Sequence, residues 1–286
     1  MQITAILSDY DGTLCPTSSI RNQINTIPQG LENTLWGISS KIPVCIISSK
    51  DFSFLGSRAK FAKIVSCIMA IETIELPNDN NGNSRTKFND PWIYPNRNIL
   101  RNNSYLLESL ASEAAEKFVE ILIERKYTSD ELLAGLTFDY RHQEDWEQYK
   151  RQVEPTLYEL INNTIKSSTP TSAVTSFPSY IQSYSSHLFV DVYSVKCDKG
   201  MAVNTIVSIL GPHNEKEEQN TIMYLGDSEN DNAAFRKADI SIGVHSDPRL
   251  KPKLDCDYII TFDKLSFFMK SLLNNGLDFS PEMVVN

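Results

Sequence analysis

The chain is poor in the residues that build cross-linked or zinc-bound folds. Its 286 residues include only 5 cysteines, an odd number, scattered at Cys15, Cys45, Cys67, Cys197 and Cys256 with no Cys-x-x-Cys pair. That spacing gives neither a disulfide framework nor a zinc site. The 4 histidines, His142, His187, His213 and His245, are equally dispersed, and each reads as a surface or satisfied histidine. Positive charge is also in deficit: 27 Lys and Arg face 36 Asp and Glu, a formal net charge of −9. This argues against nucleic acid or an anionic membrane as the main partner, and it requires local cations to hold any anionic substrate. No apolar run is long enough to span a bilayer, and no basic-then-apolar leader precedes the first apolar run. A cytoplasmic protein with no membrane partner is therefore expected. No repeat of fixed period is present.

What is there is an ordinary globular composition, 41% hydrophobic and 22% charged, in a chain long enough for a core and a second domain. The organising stretch comes first. Ala5-Ile6-Leu7-Ser8 is a short apolar run that delivers Asp9-Tyr10-Asp11-Gly12-Thr13-Leu14. This pattern predicts a buried parallel strand ending at a turn. Extended backbone points residues i and i+2 to one side, so Asp9 and Asp11 present two carboxylates at the carboxyl end of a strand, the edge where ligands bind in open α/β sheets. Paired carboxylates need a cation or a shared proton, and a hard cation such as Mg2+ accepts oxygen ligands of this kind. A carboxylate is also a nucleophile towards phosphorus. The bland reading is a solvated Asp-rich turn.

A helix over Gln29–Ser39 and an apolar run over Ile42–Ile47 complete a βαβ unit, with Ser48-Ser49-Lys50-Asp51 at the same sheet edge as Asp9. Ser48 is suited both to donate to a phosphate oxygen and to cap the next helix. A further strand lies within 64–74, ending near Glu72. The Asn- and Pro-rich stretch over 78–103 reads as irregular. Helices over 104–126, with Ser104 as N-cap, and over 144–166, interrupted at Pro155, then mix with strands over 132–141, 179–184 and 187–193. A Ser/Thr/Pro-rich stretch lies over 167–179. The α/β rhythm resumes with Lys199-Gly200 opening a helix, a polar loop over 211–220, and strands at 221–225, 240–244 and 258–260. The expected fold is thus α/β: a Rossmann-like core with a mostly parallel sheet and helices on both faces, plus an inserted α+β cap domain. The expected boundaries are core 1–80, cap 81–188 and core 189–286.

Gly226-Asp227-Ser228-Glu229-Asn230-Asp231 is a second acidic turn after a buried strand. Alone it is ambiguous with a helix cap. The ordered set Asp-x-Asp-Gly-Thr, Ser after a strand, Lys-Gly before a helix and Gly-Asp-Ser-x-Asn-Asp resembles the haloacid dehalogenase superfamily of phosphohydrolases over nearly the whole chain. The segment between Ser48 and Lys199 matches the place of the large α+β cap in one branch of that superfamily.

The resemblance implies a phosphoric monoester hydrolase acting on a small-molecule phosphate ester. It implies Asp9 as nucleophile and Asp11 as general acid and then base. The Asp9 carboxylate, the Asp11 backbone carbonyl and the Asp227 carboxylate would hold Mg2+, with Asp231 completing or orienting that shell. Ser48, Lys199 and Asn230 would contact the phosphoryl group. Lys196, three residues from Lys199, reads as solvated. The acidic turn looks like those of sucrose-phosphate and mannosyl-3-phosphoglycerate phosphatases. Phe138-Asp139-Tyr140-Arg141 looks instead like the His-Tyr-Arg strand of trehalose-6-phosphate phosphatases, and the run from Asp191 to Lys199 keeps that family's spacing. Tyr193-Ser194 replaces its Arg-Pro, Ser228 and Asn230 replace its second Asp and its Thr, and Ser49-Lys50 replaces the usual Gly-Arg. Arg141 and Glu72 are the candidate sugar contacts, against the bland readings of a surface arginine and a helix-capping glutamate. The leading expectation is a phosphatase for a trehalose-6-phosphate-like glycosyl phosphate. The alternatives are a mannosyl-3-phosphoglycerate or other small-ester phosphatase, a sugar phosphomutase and a non-catalytic sugar-phosphate sensor.

Overall fold

The computed structural model of the protein describes residues 1–16, 26–77, 90–140, 143–167, 180–184, 187–211, 221–245 and 251–285. Arg141, together with the parts of the expected irregular and polar stretches at 78–89, 168–179 and 212–220, lies outside these residues. The described residues form two compact units: one takes those up to Trp92 and from Asp198 onward, the other Ile93–Cys197. In chain order the elements are β1 (Ala5–Ser8), α1 (Gln29–Ser39), β2 (Val44–Ile47), α2 (Phe52–Leu55), β3 (Ile64–Cys67), β4 (Glu72–Glu75) and β5 (Trp92–Ile93). They continue with α3 (Arg97–Lys117), β6 (Leu122–Tyr127), β7 (Leu133–Asp139), α4 (Trp146–Ser167), β8 (Tyr180–Gln182) and β9 (Phe189–Tyr193). Last come α5 (Lys199–Leu210), β10 (Ile222–Gly226), α6 (Asn232–Phe235), β11 (Ile240–His245), β12 (Tyr258–Thr261), α7 (Phe262–Asn274) and α8 (Glu282–Val285). No described helix is long and apolar enough to cross a membrane.

The first sheet has the order β12-β11-β10-β1-β2-β3-β4-β5, parallel from β12 through β3. Every residue of β1, β2 and β3 is buried. These near-continuous apolar runs suit a parallel sheet covered on both faces. One face packs Ala5, Leu7, Cys45, Ile47 and Tyr224 against Ala202, Val203, Ile206 and Phe235 of α5 and α6. Helices α1 and α7 pack together on the other, burying Leu31, Leu35, Ile38, Leu265, Phe268, Met269 and Leu272.

The single strand expected over 64–74 is two. Ile68, Met69 and Ala70 take φ of 50°, 55° and 86°, and β4 then returns antiparallel to β3, with Cys67 opposite Glu72. Left-handed backbone costs an L-residue roughly 1–2 kcal/mol. Burial and two hydrogen bonds hold this segment in place: Ile68 N donates to Lys50 O at 3.0 Å and Met69 N to Ser48 O at 3.1 Å. The reversal therefore clamps the Ser48–Lys50 turn at the end of β2.

The second unit corrects the sequence reading in three places. The expected helix over 104–126 begins earlier, at an N-cap on Asn96, whose side chain accepts from Ile99 N at 3.0 Å. It stops at Lys117, and 122–127 becomes β6, the edge strand of an antiparallel sheet ordered β6-β7-β9-β8. Ile121 and Leu122 look like a continuation of the helix face, but Phe118 leaves helical geometry at φ −124°, ψ 75°. Ser104 is not a cap; it lies inside α3, where its hydroxyl accepts from Leu133 N at 3.0 Å. Strand β9 belongs to this small sheet, so the chain returns to the first unit at Asp198 rather than at 189.

Helices α3 and α4 pack Leu107, Leu110, Ala114, Leu157 and Ile161 against Leu136, Phe138, Val190 and Val192 of the small sheet. The residues of opposite phase form a buried polar set. Lys126 Nζ lies 3.1 Å from Asp191 Oδ1, both side chains 2% exposed. Thr137 donates to the same oxygen, and Tyr193 donates to Asp191 Oδ2 at 3.0 Å. Burial alone would raise the Asp191 pKa, but the Lys126 charge and these hydrogen bonds outweigh it and hold the carboxylate below its usual range. Breaking one side of such a pair leaves an uncompensated buried charge. Lys126→Met should cost about 3–5 kcal/mol, and adding Asp191→Leu should recover part of the loss. Thermal unfolding followed by circular dichroism is the check; a single variant with an unchanged midpoint contradicts the ion pair's role.

Candidate active site

The carboxyl ends of adjacent strands of the parallel sheet gather the chemistry. Strand β1 delivers Asp9, whose backbone N–H donates to Leu225 O at 2.9 Å. The next residues fold back in a tight turn: Leu14 N and Cys15 N both donate to Tyr10 O at 3.0 Å, and Gly12 N donates to Cys15 O at 2.7 Å. Gly12 has φ +83°, and a Cβ there would fall 1.9 Å from Asp227 Oδ2. Only glycine lets this turn lie against the Asp227 carboxylate. Thr13 is buried and donates to Asp227 Oδ1 at 3.3 Å, joining the first acidic turn to the second.

The second acidic turn leaves β10 at Gly226, where a Cβ would meet Asp231 Cγ at 2.4 Å. Asp231 is thereby folded back over its own strand, fully buried. Its Oδ2 accepts from Asp227 N and Ser228 N, both at 3.1 Å, with Ser228 Oγ 3.3 Å away. Its Oδ1 accepts from Lys199 Nζ at 2.7 Å and from Tyr224 OH at 2.6 Å. Lys199 opens α5 behind the N-cap Asp198, whose side chain accepts from Met201 N at 2.8 Å. The lysine is 1% exposed and also pairs with Asp9 Oδ1 at 3.0 Å.

Oxygens of Asp9, Asp227 and Asp231 all lie within 4.8 Å of one another, and one ammonium stands among three carboxylates. Burial is the largest cause that pushes Asp9 up to about 7; Asp231 adds repulsion while Lys199 opposes it. Burial, then Asp9 and Asp231, raise Asp227 well above the carboxylate range. Lys199 loses charge stabilisation through burial, but Asp231 and Asp9 more than restore it and raise its pKa. Tyr224 is raised by burial and then by Asp231, so its hydroxyl stays a donor. A buried set with excess negative charge and free carboxylate edges suits a hard divalent cation. Asp9 and Asp227 fit as ligands, whereas Asp231 already receives four donors from the protein.

The structure thus brings Asp9, Asp227, Asp231 and Lys199 together. Asp11 follows Asp9 by two residues on the partly exposed turn. Ser48 stands at the end of neighbouring β2, its N–H donating to Ser66 O at 2.9 Å and its hydroxyl accepting from Lys50 N at 3.2 Å. Asn230 is 8% exposed and accepts from Ser228 Oγ at 2.9 Å. Glu72 is fully buried at the start of β4, beside the end of β3. Lys196 is exposed. Two participants escape the sequence reading, Thr13 and Tyr224. The available signal for Tyr224 is a phenol in an otherwise apolar strand two residues before Gly-Asp, since a buried tyrosine hydroxyl needs a partner.

Because the folded protein raises the Asp9 pKa from 3.8 to about 7, this group makes the cation-free fold less stable as pH rises between those values. A cation must displace this proton and any that Asp227 holds, so its apparent affinity should weaken at least about tenfold per pH unit below about pH 7. Thermal shift on Mg2+ titration at pH 5.5, 6.5 and 8 tests this. The expected shift grows with pH, and a pH-independent shift contradicts the assignment of Asp9 to the cation.

Comparison with curated protein sequences finds no match. Among solved structures, the chain is similar to the C-terminal domain of trehalose-6-phosphate phosphatase from Candida albicans, at 18% identity and a TM-score of 0.69, over 96% of this chain and 92% of that one. It is similar to a trehalose-6-phosphate phosphatase related protein at 15% identity and a TM-score of 0.59, over 96% and 99% of the two chains. A haloalkanoate-superfamily phosphatase from Bacteroides thetaiotaomicron matches at 15% identity and a TM-score of 0.56, over 97% and 96%. At these identities the structural likeness describes the fold. The family model of the haloacid dehalogenase-like hydrolases matches residues 6–263, and with the site at the edge of its parallel sheet the chain belongs to that family.

Proposed function

We propose that the protein is a Mg2+-dependent phosphatase that hydrolyses a glycosyl phosphate, trehalose-6-phosphate or a close relative, through an aspartyl-phosphate on Asp9. The observation that carries this reading is the buried Asp9 carboxylate paired with Lys199 at 3.0 Å and crowded by Asp227. A nucleophile must be a carboxylate in a place that also neutralises the incoming phosphoryl oxygens, and this arrangement supplies both.

Asp9, Asp227 and the Asp11 carbonyl would hold Mg2+, which when bound screens Asp9 from Asp227 and neutralises charge on the phosphoryl oxygens. The remaining steps belong to the chain. An Asp9 oxygen attacks phosphorus as the bond from phosphorus to the leaving oxygen breaks, and Asp11 donates a proton to that oxygen, releasing the alcohol. Asp11 then takes a proton from water, whose oxygen attacks the phosphorus of the aspartyl-phosphate and frees inorganic phosphate and the Asp9 carboxylate. Lys199 and Ser48 stabilise the charge on the transferring group, with Asn230 as a further donor beside it.

Support for the substrate class comes from the fold likeness to trehalose-6-phosphate phosphatases and to a sugar phosphatase of the same superfamily. Glu72 and Arg141 are the proposed sugar contacts. The test is phosphate release with Mg2+ across trehalose-6-phosphate, mannosyl-3-phosphoglycerate, sucrose-6-phosphate and hexose phosphates. The expected result is a preferred glycosyl phosphate, with Asp9→Asn inactive and still folded. Isomerisation of a hexose phosphate without phosphate release, or full activity in the Asp9 variant, overturns the proposal.

A further inference from the structure

Tyr224 lies in the middle of β10, opposite Leu7 of β1, and its ring belongs to the apolar layer under α5 and α6. The ring is fully buried and packs edge-on to Phe235, with centroids 5.4 Å apart at 81°. Its hydroxyl reaches out of that layer to Asp231 Oδ1 at 2.6 Å. The same oxygen takes Lys199 Nζ at 2.7 Å, and Lys199 reaches on to Asp9 at 3.0 Å.

We propose that Tyr224 is a positioning residue for phosphoryl transfer: through Asp231 Oδ1 it fixes the direction in which Lys199 meets the phosphoryl oxygens. This rests on the phosphatase reading. The geometry supplies the reason. A carboxylate offers about four lone-pair directions, and Asp231 fills them with donors. Two backbone N–H groups of the turn, those of Asp227 and Ser228, hold Oδ2, which leaves the carboxylate one way to move, by swinging Oδ1. Tyr224 is the neutral donor that closes that path, because its ring is locked by packing and its hydroxyl cannot follow. Lys199 spends two of its three N–H groups on Asp231 and Asp9. The third then points where those two bonds leave it, and a wandering Oδ1 would carry the ammonium with it. A tyrosine that served packing alone would place no hydroxyl at the oxygen shared with the lysine.

The test is Tyr224→Phe, which keeps the ring and removes the donor. With Mg2+ and a glycosyl or aryl phosphate, kcat is expected to fall about 10–100-fold while KM stays within about twofold, as for other groups that orient ligands from behind. Inhibition by vanadate, which resembles the five-coordinate transition state, should weaken in step with kcat, while inhibition by inorganic phosphate should not. Ile222→Ala, a packing change on the same strand, should lower the unfolding temperature and leave kcat and the vanadate-to-phosphate ratio alone. A Tyr224→Phe enzyme with unchanged kcat, alongside an inactive Asp9→Asn, overturns the positioning role and leaves the phosphatase reading standing. Equal loss of vanadate and phosphate inhibition also overturns it, since that pattern marks general damage to the site. Full activity in Asp9→Asn overturns the phosphatase reading itself.

Discussion

The ion pair between Lys199 and Asp9 is the contact on which the arrangement of the site depends. Two unit charges 4 Å apart interact by about 4 kcal/mol at an effective dielectric of about 20, so the order in which these charges are compensated decides the geometry. Asp231 is compensated by four donors, two of them backbone N–H groups of the turn it closes. Asp9 is compensated by Lys199. Asp227 has Thr13 beside it and two carboxylates as neighbours, and it is the one whose ionised form the buried cluster disfavours most visibly. The unbalanced charge is thus local, and it falls between Asp9 and Asp227 rather than at Asp231. Acidic residues crowded at random would share their repulsion; here the protein's own donors settle one carboxylate and leave Asp9 and Asp227 as the crowded pair.

The sheet explains why these residues meet. β1 is central, with β10 on one side and β2 on the other, all parallel. Their carboxyl ends therefore bring Asp9, the Asp227 turn and Ser48 to one edge although more than 200 residues separate the first from the last acidic turn in the sequence. Such an edge, where neighbouring strands lead away in opposite directions, is where open α/β sheets bind ligands. Lys199 arrives by a different route, as the first residue of α5, and Asp198 fixes that helix start. The left-handed reversal at Ile68–Ala70 belongs to the same economy of placement. It ties the backbone after β3 to Lys50 and Ser48, so strain in one turn holds another at the site's rim.

The legible parts of the sequence were those where a local signal and a global role coincide. Asp9-Tyr10-Asp11-Gly12 follows an apolar run, and Lys199-Gly200 opens a helix, so spacing alone leads to strand ends and a helix start. The reversal after β3 was not legible, because Ile68, Met69 and Ala70 are apolar L-residues with no glycine or asparagine to announce positive φ. β6 was hidden for a different reason: Ile121 and Leu122 keep helical phase with α3, and only the three-dimensional sheet reveals that pairing with β7 wins over local periodicity. Lys126 looks like a surface lysine and is a buried ion-pair partner, and Tyr224 looks like strand filling and is a donor to a carboxylate. For Lys126 the partner lies 65 residues on, beyond the reach of any window of sequence, whereas for Tyr224 it lies seven residues on, and only the fold of the acidic turn brings the carboxylate back over the strand.

The proposed chemistry sits on one part of this chain. Every group that touches the proposed phosphoryl chemistry comes from the first unit, and each is fixed there by neighbours in the same unit. The departures from the trehalose-6-phosphate phosphatase pattern fall partly elsewhere. Tyr193 and Ser194 stand in place of its Arg-Pro, and the structure gives both of them internal duties: the Tyr193 hydroxyl bonds Asp191, and the Ser194 carbonyl accepts from Asn103 at 2.7 Å. An arginine at 193 would bring a second cation to a carboxylate that Lys126 already neutralises. Where a phenol stands instead, its hydroxyl closes the pair without adding charge.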